Sequence, residues 1–306
     1  MSEEKSKVVG FKLPQNIIMD ILNHLRTSGT TLAGENVTLA DDCIIRVANN
    51  VLLSITTDEG RKIIMQVKIN KSKFKDLQIL NKGLIPINIE ITKKFLSRFS
   101  SSDSVEVVYE NGMISFKRSN PDFPPLEIFM STKRINSIQC DFFSNLKKQI
   151  DNEKSEKDKK LLEFFKKHKS IYFIEKDGSA NIFGVKLDNF IEVACGHLKE
   201  VVKDGELLEN RIYPFTVVDG KLNVTVKSIK EENLNRISRG IYVKSSSFTS
   251  DFSTTYSSQF NAAISSTRGH IQLYFGEDKP LLLIKQSDSD RGIDMSYIVM
   301  PYIHKK

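Results

Sequence analysis

Apolar and polar residues alternate with a period of two along most of the chain, and segments of helical spacing interrupt that pattern. The first half opens on the strand-like Val8-Val9-Gly10-Phe11-Lys12-Leu13, followed by Pro14, which suits a first helical position because the donor it lacks is unused there. Ile17, Ile18, Ile21, Leu22 and Leu25 then predict a helix over Pro14–Ser28, with Asn16, Asp20, Asn23 and Thr27 on its other side. Strands are expected at Asn36–Ala40, Cys43–Val47, Val51–Thr57 and Ile63–Ile69. A short second helix is expected at Ile91–Phe99. It precedes a hairpin of Val105–Tyr109 and Met113–Lys117 turning on Glu110-Asn111-Gly112, since Asn-Gly accepts the two positive φ values of a tight hairpin turn. Leu126–Met130 closes the half.

The second half repeats this programme. Ile182–Leu187 reads as a strand and Asp188 as the N-cap of a helix carrying Phe190, Ile191, Ala194, Leu198 and Val201. Strands Phe215–Val218, Leu222–Ser228 and Gly240–Lys244 follow. A polar helix over Ser253–Thr267 has Tyr256, Phe260 and Ile264 as its stripe. A hairpin of Ile271–Phe275 with Pro280–Gln286 comes next, and Tyr297–Tyr302 is the last strand. Many strands and few helices, without strand–helix–strand alternation, indicate an antiparallel α+β fold. The expected units are residues 1–131, a connector over 132–180, and 181–306.

Composition sharpens the reading. Of 306 residues, 40% are hydrophobic and 27% charged, so each half can bury a core. No apolar run approaches the ~20 residues of a membrane span, and the charged start has no apolar segment behind it, so neither a membrane protein nor a secreted one is expected. The three cysteines, Cys43, Cys140 and Cys195, lack paired spacing, which favours a reducing intracellular compartment. The formal charge is +7, but Thr132–Ser170 holds 11 Lys/Arg against 6 Asp/Glu, so most of the excess sits in the connector. Within it, Asp151–Lys160 reads as a solvated stretch, and Leu161, Leu162, Phe164 and Phe165 as a short helix packed on a neighbouring surface. A strand pair, Ile171–Ile174 and Ala180–Val185, turns around Asp177-Gly178. Phosphate-cradling glycine motifs are absent, the five histidines are scattered, and Asp41-Asp42 and Asp288–Asp290 read as turns; neither an enzyme nor a cofactor or metal site is expected.

In their order and spacing these residues resemble the sliding DNA clamps of the proliferating cell nuclear antigen and T-even phage type. The resemblance is carried by Pro14–Ser28, by Ile55–Val67 as a strand–acidic turn–strand, and by Ile89–Phe99 leading into Ser104–Val108. It is carried further by Phe183–Phe190 as a strand entering a helix, and by Tyr256–Ile303, which contains Phe275-Gly-Glu-Asp-Lys-Pro280 and Met295–Ile303. It implies two similar clamp-type domains with antiparallel sheets outside and helices on the inner face. Three subunits would pair edge strands into a homotrimeric ring around double-stranded DNA, holding DNA polymerase and being opened by a clamp loader. The compartment implied is intracellular: cytoplasmic in a prokaryotic or virus-infected host, nuclear in a eukaryotic one.

A ring of this kind touches only phosphates, so its lining helices need basic or small polar residues. Candidates are Asn16, Asn23 and Arg26 on the first helix, with His24 able to join them. The second offers Lys93, Lys94 and Arg98 opposite a stripe of Ile91, Phe95 and Phe99. The third offers His197, Lys199 and Lys203 beside the acidic Glu192 and Glu200, and Arg268 follows the fourth. In the family, partners insert a hydrophobic motif between the connector and the C-terminal strand; the matching positions here are Asp58, Met300, Pro301 and Tyr302. Two features depart from the family: the basic balance and the long connector. A non-ring monomeric or dimeric clamp-like processivity subunit therefore stands as one alternative, and a DNA-repair enzyme on an α+β scaffold as another.

Overall fold

The computed structural model describes residues 8–26, 28–30, 36–38, 40–58, 62–133, 135, 142–153, 156–208, 211–218, 221–228, 236–247, 252–256, 259–276, 279–288 and 292–301. The first half runs β1 (Val9–Pro14), α1 (Gln15–Leu25), β2 (Ser28–Thr30), β3 (Asn36–Thr38), β4 (Asp42–Ala48), β5 (Val51–Thr57) and β6 (Ile63–Asn70). It continues with β7 (Gln78–Asn81), β8 (Gly83–Asn88), α2 (Ile89–Leu96), β9 (Ser104–Glu110), β10 (Met113–Arg118) and β11 (Glu127–Ser131). Between the halves lie α3 (Phe142–Glu153), α4 (Glu156–His168), β12 (Tyr172–Ile174), β13 (Ala180–Ile182) and β14 (Val185–Leu187). The second half opens with β15 (Asn189–Ala194), α5 (Cys195–Glu206), β16 (Arg211–Val218), β17 (Lys221–Ser228) and β18 (Arg236–Ile241). It ends with β19 (Val243–Ser247), β20 (Phe252–Tyr256), α6 (Gln259–Ser266), β21 (His270–Gly276), β22 (Lys279–Asp288) and β23 (Ile293–Val299).

Every strand pair among these is antiparallel, so the α+β expectation holds. A nine-stranded sheet, ordered β19-β15-β21-β22-β23-β6-β5-β4-β8, draws strands from both halves. The halves meet where β23 pairs with β6, Tyr297 opposite Met65 and Ile293 opposite Ile69. Because side chains alternate across a strand, this seam has two distinct faces. Met65, Val67, Ile69, Tyr297 and Val299 pack towards the helices of the two halves. Ile64 and Ile298, joined by Leu53, Ile55 and Leu283, pack instead against Phe142, Phe143, Leu146 and Ile171 of the segment between the halves. That segment is an insert laid over the outer face of the sheet.

The Asn-Gly hairpin forms as expected, with Asn111 at φ 51° and Gly112 at φ 78° between β9 and β10. Several boundaries differ. Helix α1 ends at Leu25 because Arg26 leaves helical geometry (φ −90°, ψ 85°) and the chain enters β2. Helix α2 starts at Ile89, two residues earlier than expected, because Asn88 Oδ1 caps it by accepting from the Ile91 amide at 3.0 Å. The third helix starts at Cys195: Asn189–Ala194, expected as its first turns, is a strand pairing with β21 and β19. Phe252–Tyr256, expected within the fourth helix, pairs with β16. Strands β2, β7, β8, β15 and β20 lie where no strand is expected, and the segment from α3 to β14, which runs past the expected connector end at 180, holds two helices and three strands where one helix and a strand pair are expected. Cys43 and Cys195 are buried, whereas Cys140 lies outside the described residues. Among the described residues no helix is long and apolar enough to cross a membrane.

Candidate nucleic-acid interface

Helices α1 and α2 pack together, as do α5 and α6, and α6 also packs on β2 at the end of α1. Arg268, just past α6, reaches Asp20 of α1 at 3.3 Å, tying the second pair to the first. All four helices therefore stand on one face of the central sheet, opposite the insert.

The side chains that α2 turns outward follow from its capped start. Ile89, Thr92 and Leu96 are buried, which leaves Lys94 exposed and Lys93 on the flank, and Arg98, in the turn just past the helix, is exposed too. The expected stripe of Ile91, Phe95 and Phe99 is corrected by this register: Phe99 is buried and Phe95 half-buried, but Ile91 points to solvent beside Lys94 and Arg98. On α1, Asn16 is exposed and Asn23 half-buried. Arg26 is half-buried and ion-paired with Glu90 of α2, which also lies 3.7 Å from Lys93. These two cations are partly neutralised before any ligand arrives.

His24 does not belong to this surface. It is 1% exposed, its Nδ1 shares a hydrogen bond of 2.8 Å with Tyr297 Oη, and the two ring centroids are 4.1 Å apart. Burial pushes the imidazole down to about 3, so it is neutral and offers phosphate no charge. Its spacing signalled this: His24 lies three residues after Ile21 and seven after Ile17, within the apolar stripe.

On α5, Cys195, Leu198, Val201, Val202 and Gly205 are buried. His197 and Lys203 are exposed and Lys199 is half-buried. Lys203 is engaged by Glu200 at 2.8 Å; the hydrogen bond holds the carboxyl below its usual range and lifts the ammonium. Asp204 receives Arg239 Nη2 at 2.9 Å, and the guanidinium keeps that carboxyl ionised. Burial raises the Cys195 thiol, which lies against Thr267 Oγ1 at 2.9 Å. Among the described residues, Lys94, Arg98 and Lys199 are the candidate cations of this face without an ion pair.

Of the positions matched to partner binding, Met300 lies at the other face. Asp58 is 8% exposed and its Oδ1 accepts the Ile63 amide at 3.0 Å, closing the β5–β6 turn. Met300 is half-buried against the insert's core, its amide donating to the Lys62 carbonyl at 2.8 Å. Pro301 bridges to Tyr256, and Tyr302 lies outside the described residues. What sequence reasoning missed here is an aromatic group on the insert, Phe164, His168, Phe173 and Phe183. Its signal was the Phe164/His168 spacing of one helical turn.

No protein-family profile matches the chain. No curated protein sequence matches it either. Solved structures do. Proliferating cellular nuclear antigen from Entamoeba histolytica superimposes with a TM-score of 0.67 at 10% identity, over 96% of this chain and 99% of that one. A. fulgidus PCNA, solved with the C-terminal region of FEN-1 bound, gives 0.63 at 11% identity, over 97% and 100%. The chain has the DNA clamp fold.

Proposed function

We propose that the chain is a DNA sliding clamp, a non-enzymatic processivity factor that encircles duplex DNA and tethers a polymerase and other replication proteins. In this reading residues 1–131 and 181–306 are the clamp-type units and 132–180 the connector. The observation that carries it is the single row of four helices on one face of a sheet shared by both halves. A wall of this kind meets phosphates without reading bases, so binding is weak at each contact and sliding is unhindered. Lys94, Arg98, Lys199 and His197 are the contacts in this reading, with Asn16 and Asn23 as small polar neighbours. Arg26, Lys93, Lys203 and Arg268 act mainly through their acidic partners.

Ring closure is supported by two edges. Among the described residues β11 pairs on one side only, with β10, and carries Phe129 at 60% exposure. Strand β18 likewise pairs only with β17, and Tyr242 beside it is 76% exposed. Joining β11 of one copy to β18 of the next is a heterologous contact, and such contacts close into rings when the rotation permits. Three copies make the homotrimer, which a clamp loader must open. The solved neighbour holding the FEN-1 C-terminal region supports replication proteins as partners.

The test is topological. The protein is incubated with a loader and nicked circular plasmid and filtered at high salt; it should co-elute with the circle and be lost on linearisation. Equal retention on short linear duplex with a steep salt slope would favour a non-ring subunit instead. Lys94→Gln with Arg98→Gln should lower the salt slope of binding by about 2.

A further inference from the structure

The insert carries more aromatic surface than its core uses. Phe142, Phe143, Tyr172 and Ile182 are buried against the central sheet, and Leu161, Leu162 and Phe165 pack onto them. Phe164, His168 and Phe173 stand outside that core, each half-buried, yet hold one another. His168 stacks on Phe173 with centroids 4.1 Å apart and planes at 12°, and Phe164 lies 4.6 Å from His168 and 5.7 Å from Phe173. Phe183, at φ 50° in the turn between β13 and β14, meets Phe164 edge-on at 5.5 Å and links the group to the core. A bulky residue disfavours that backbone conformation, so the turn is held in place by its surroundings.

Lysines frame the rings. Lys160 and Lys167 lie four residues before and three after Phe164 on α4, and so share its face. Both are exposed, and among the described residues neither forms an ion pair. Lys169 and Lys176, at the α4 end and the β12–β13 turn, are likewise exposed and unpaired, and Asp177 is already engaged by Lys186 at 2.7 Å. The acids beside the rings are Glu163 on α4 and Glu175, whose charge reaches His168 and which accepts from Asn181 at 3.2 Å, so the lysines outnumber them.

An apolar ring cluster in a cationic frame fits a peptide that places aromatic anchors between carboxylates: the anchors bury against the rings and the acids meet the lysines. Nucleic acid fits less well. A duplex uses lysines but no rings, and single-stranded bases need open ring faces, whereas His168 and Phe173 already cover each other. Of the positions matched to the family's partner site, Met300 packs on the insert and Asp58 accepts the Ile63 amide within its own turn. We propose that the outward face of the insert, centred on Phe164, His168 and Phe173, is a docking surface for acidic–aromatic peptide segments of partner proteins. That these partners are replication proteins rests on the clamp reading above.

The probe is a fluorescein-labelled synthetic peptide with a phenylalanine pair flanked by glutamates, titrated by anisotropy into the full chain. A control peptide carries lysines in place of the glutamates. The glutamate peptide should bind and the lysine peptide should not. Phe164→Ala with Phe173→Ala, and separately Lys160→Glu with Lys167→Glu, should each weaken binding at least about tenfold. The charge pair lies on exposed positions, so its thermal melt should match the parent even if the ring variant perturbs the insert. No binding by the parent, binding unchanged in the charge variant, or displacement of the peptide by a short DNA duplex would each overturn the proposal. Plasmid retention is measured on the same preparations: retention without peptide binding sinks the docking surface alone, and peptide binding without retention sinks the ring alone.

Discussion

Strand β23 carries a polar pair on each of its faces, and the two pairs answer acid in opposite directions. Towards the helices Tyr297 holds His24 of α1 at 2.8 Å; towards the insert Asp294 accepts from Tyr172 Oη at 2.5 Å. Burial pushes the histidine down to about 3 and the aspartate up, in both cases because a charge is costly away from water. Tyr172 and Tyr297 are themselves raised by burial and keep their protons as donors. Gln66 adds to the outer pairing by bonding Ser170 Oγ at 3.0 Å and the Ile171 amide at 3.0 Å. On the helix face the histidine–tyrosine pair sits within an apolar core, whereas the outer face is hooked to the insert by side chains that an insert-free sheet would leave facing water.

The largest effect expected on this contrast comes from Tyr297→Ala. It removes a fully buried ring and leaves His24 without its partner, at a cost of about 3–5 kcal/mol read from denaturant midpoints. Next is the acid limb. A histidine whose folded value lies below its unfolded 6.5 contributes stability above 6.5 that is lost as pH falls towards about 3. That loss should be on the order of 4 kcal/mol, and His24→Gln should flatten it while keeping a polar partner for Tyr297. Smaller is Tyr172→Phe, which takes the hydroxyl donor from Asp294 and costs about 1–3 kcal/mol at pH above that group's folded value. Here the sign reverses. The raised folded value of Asp294 means its contribution is fully present below the unfolded 3.8 and is lost as pH rises through the folded value. The cost of Tyr172→Phe should therefore shrink in acid, where protonated Asp294 no longer needs the donor. A penalty that grew in acid would contradict the outer-face assignment.

The sequence made the repeated architecture legible because period-two patterns and the Asn111-Gly112 turn are local signals, fixed by side-chain alternation and positive φ. The third helix was misplaced because Phe190, Ile191 and Ala194 satisfy helical spacing when read on towards Leu198. What decides Asn189–Ala194 is pairing with β21, which joins residues about eighty apart. The α2 register turned on one capping asparagine, Asn88, and with it went the facing of Ile91. Of the lining candidates, residue type was readable but not engagement. That Arg26 is spent on Glu90, Lys203 on Glu200 and Arg268 on Asp20 depends on neighbours brought close by folding and by rotamers that spacing does not fix. The aromatic group of the insert escaped notice because Phe164 and Phe165 are adjacent and identical, and only packing separates the one that enters the core from the one that does not.

The smallest effect concerns the contact that joins the two helix pairs. Arg268 and Asp20 are 3.3 Å apart, with side chains 68% and 35% exposed. Water screens such a pair and both side chains lose rotamer freedom to hold it, so Arg268→Ala should change stability by no more than about 0.5 kcal/mol. The helix row does not depend on this ion pair, because α6 is anchored by buried Phe260, Ala263 and Ile264, and α1 by Ile17, Ile21 and Leu25. A loss above about 2 kcal/mol would mean that the alignment of the halves rests on an exposed charge rather than on the buried seam. The same variant leaves Asp20 unpaired on the proposed DNA wall. It should therefore weaken binding at low salt more than at high salt, and a loss independent of salt would remove Arg268 from the electrostatic account of that wall.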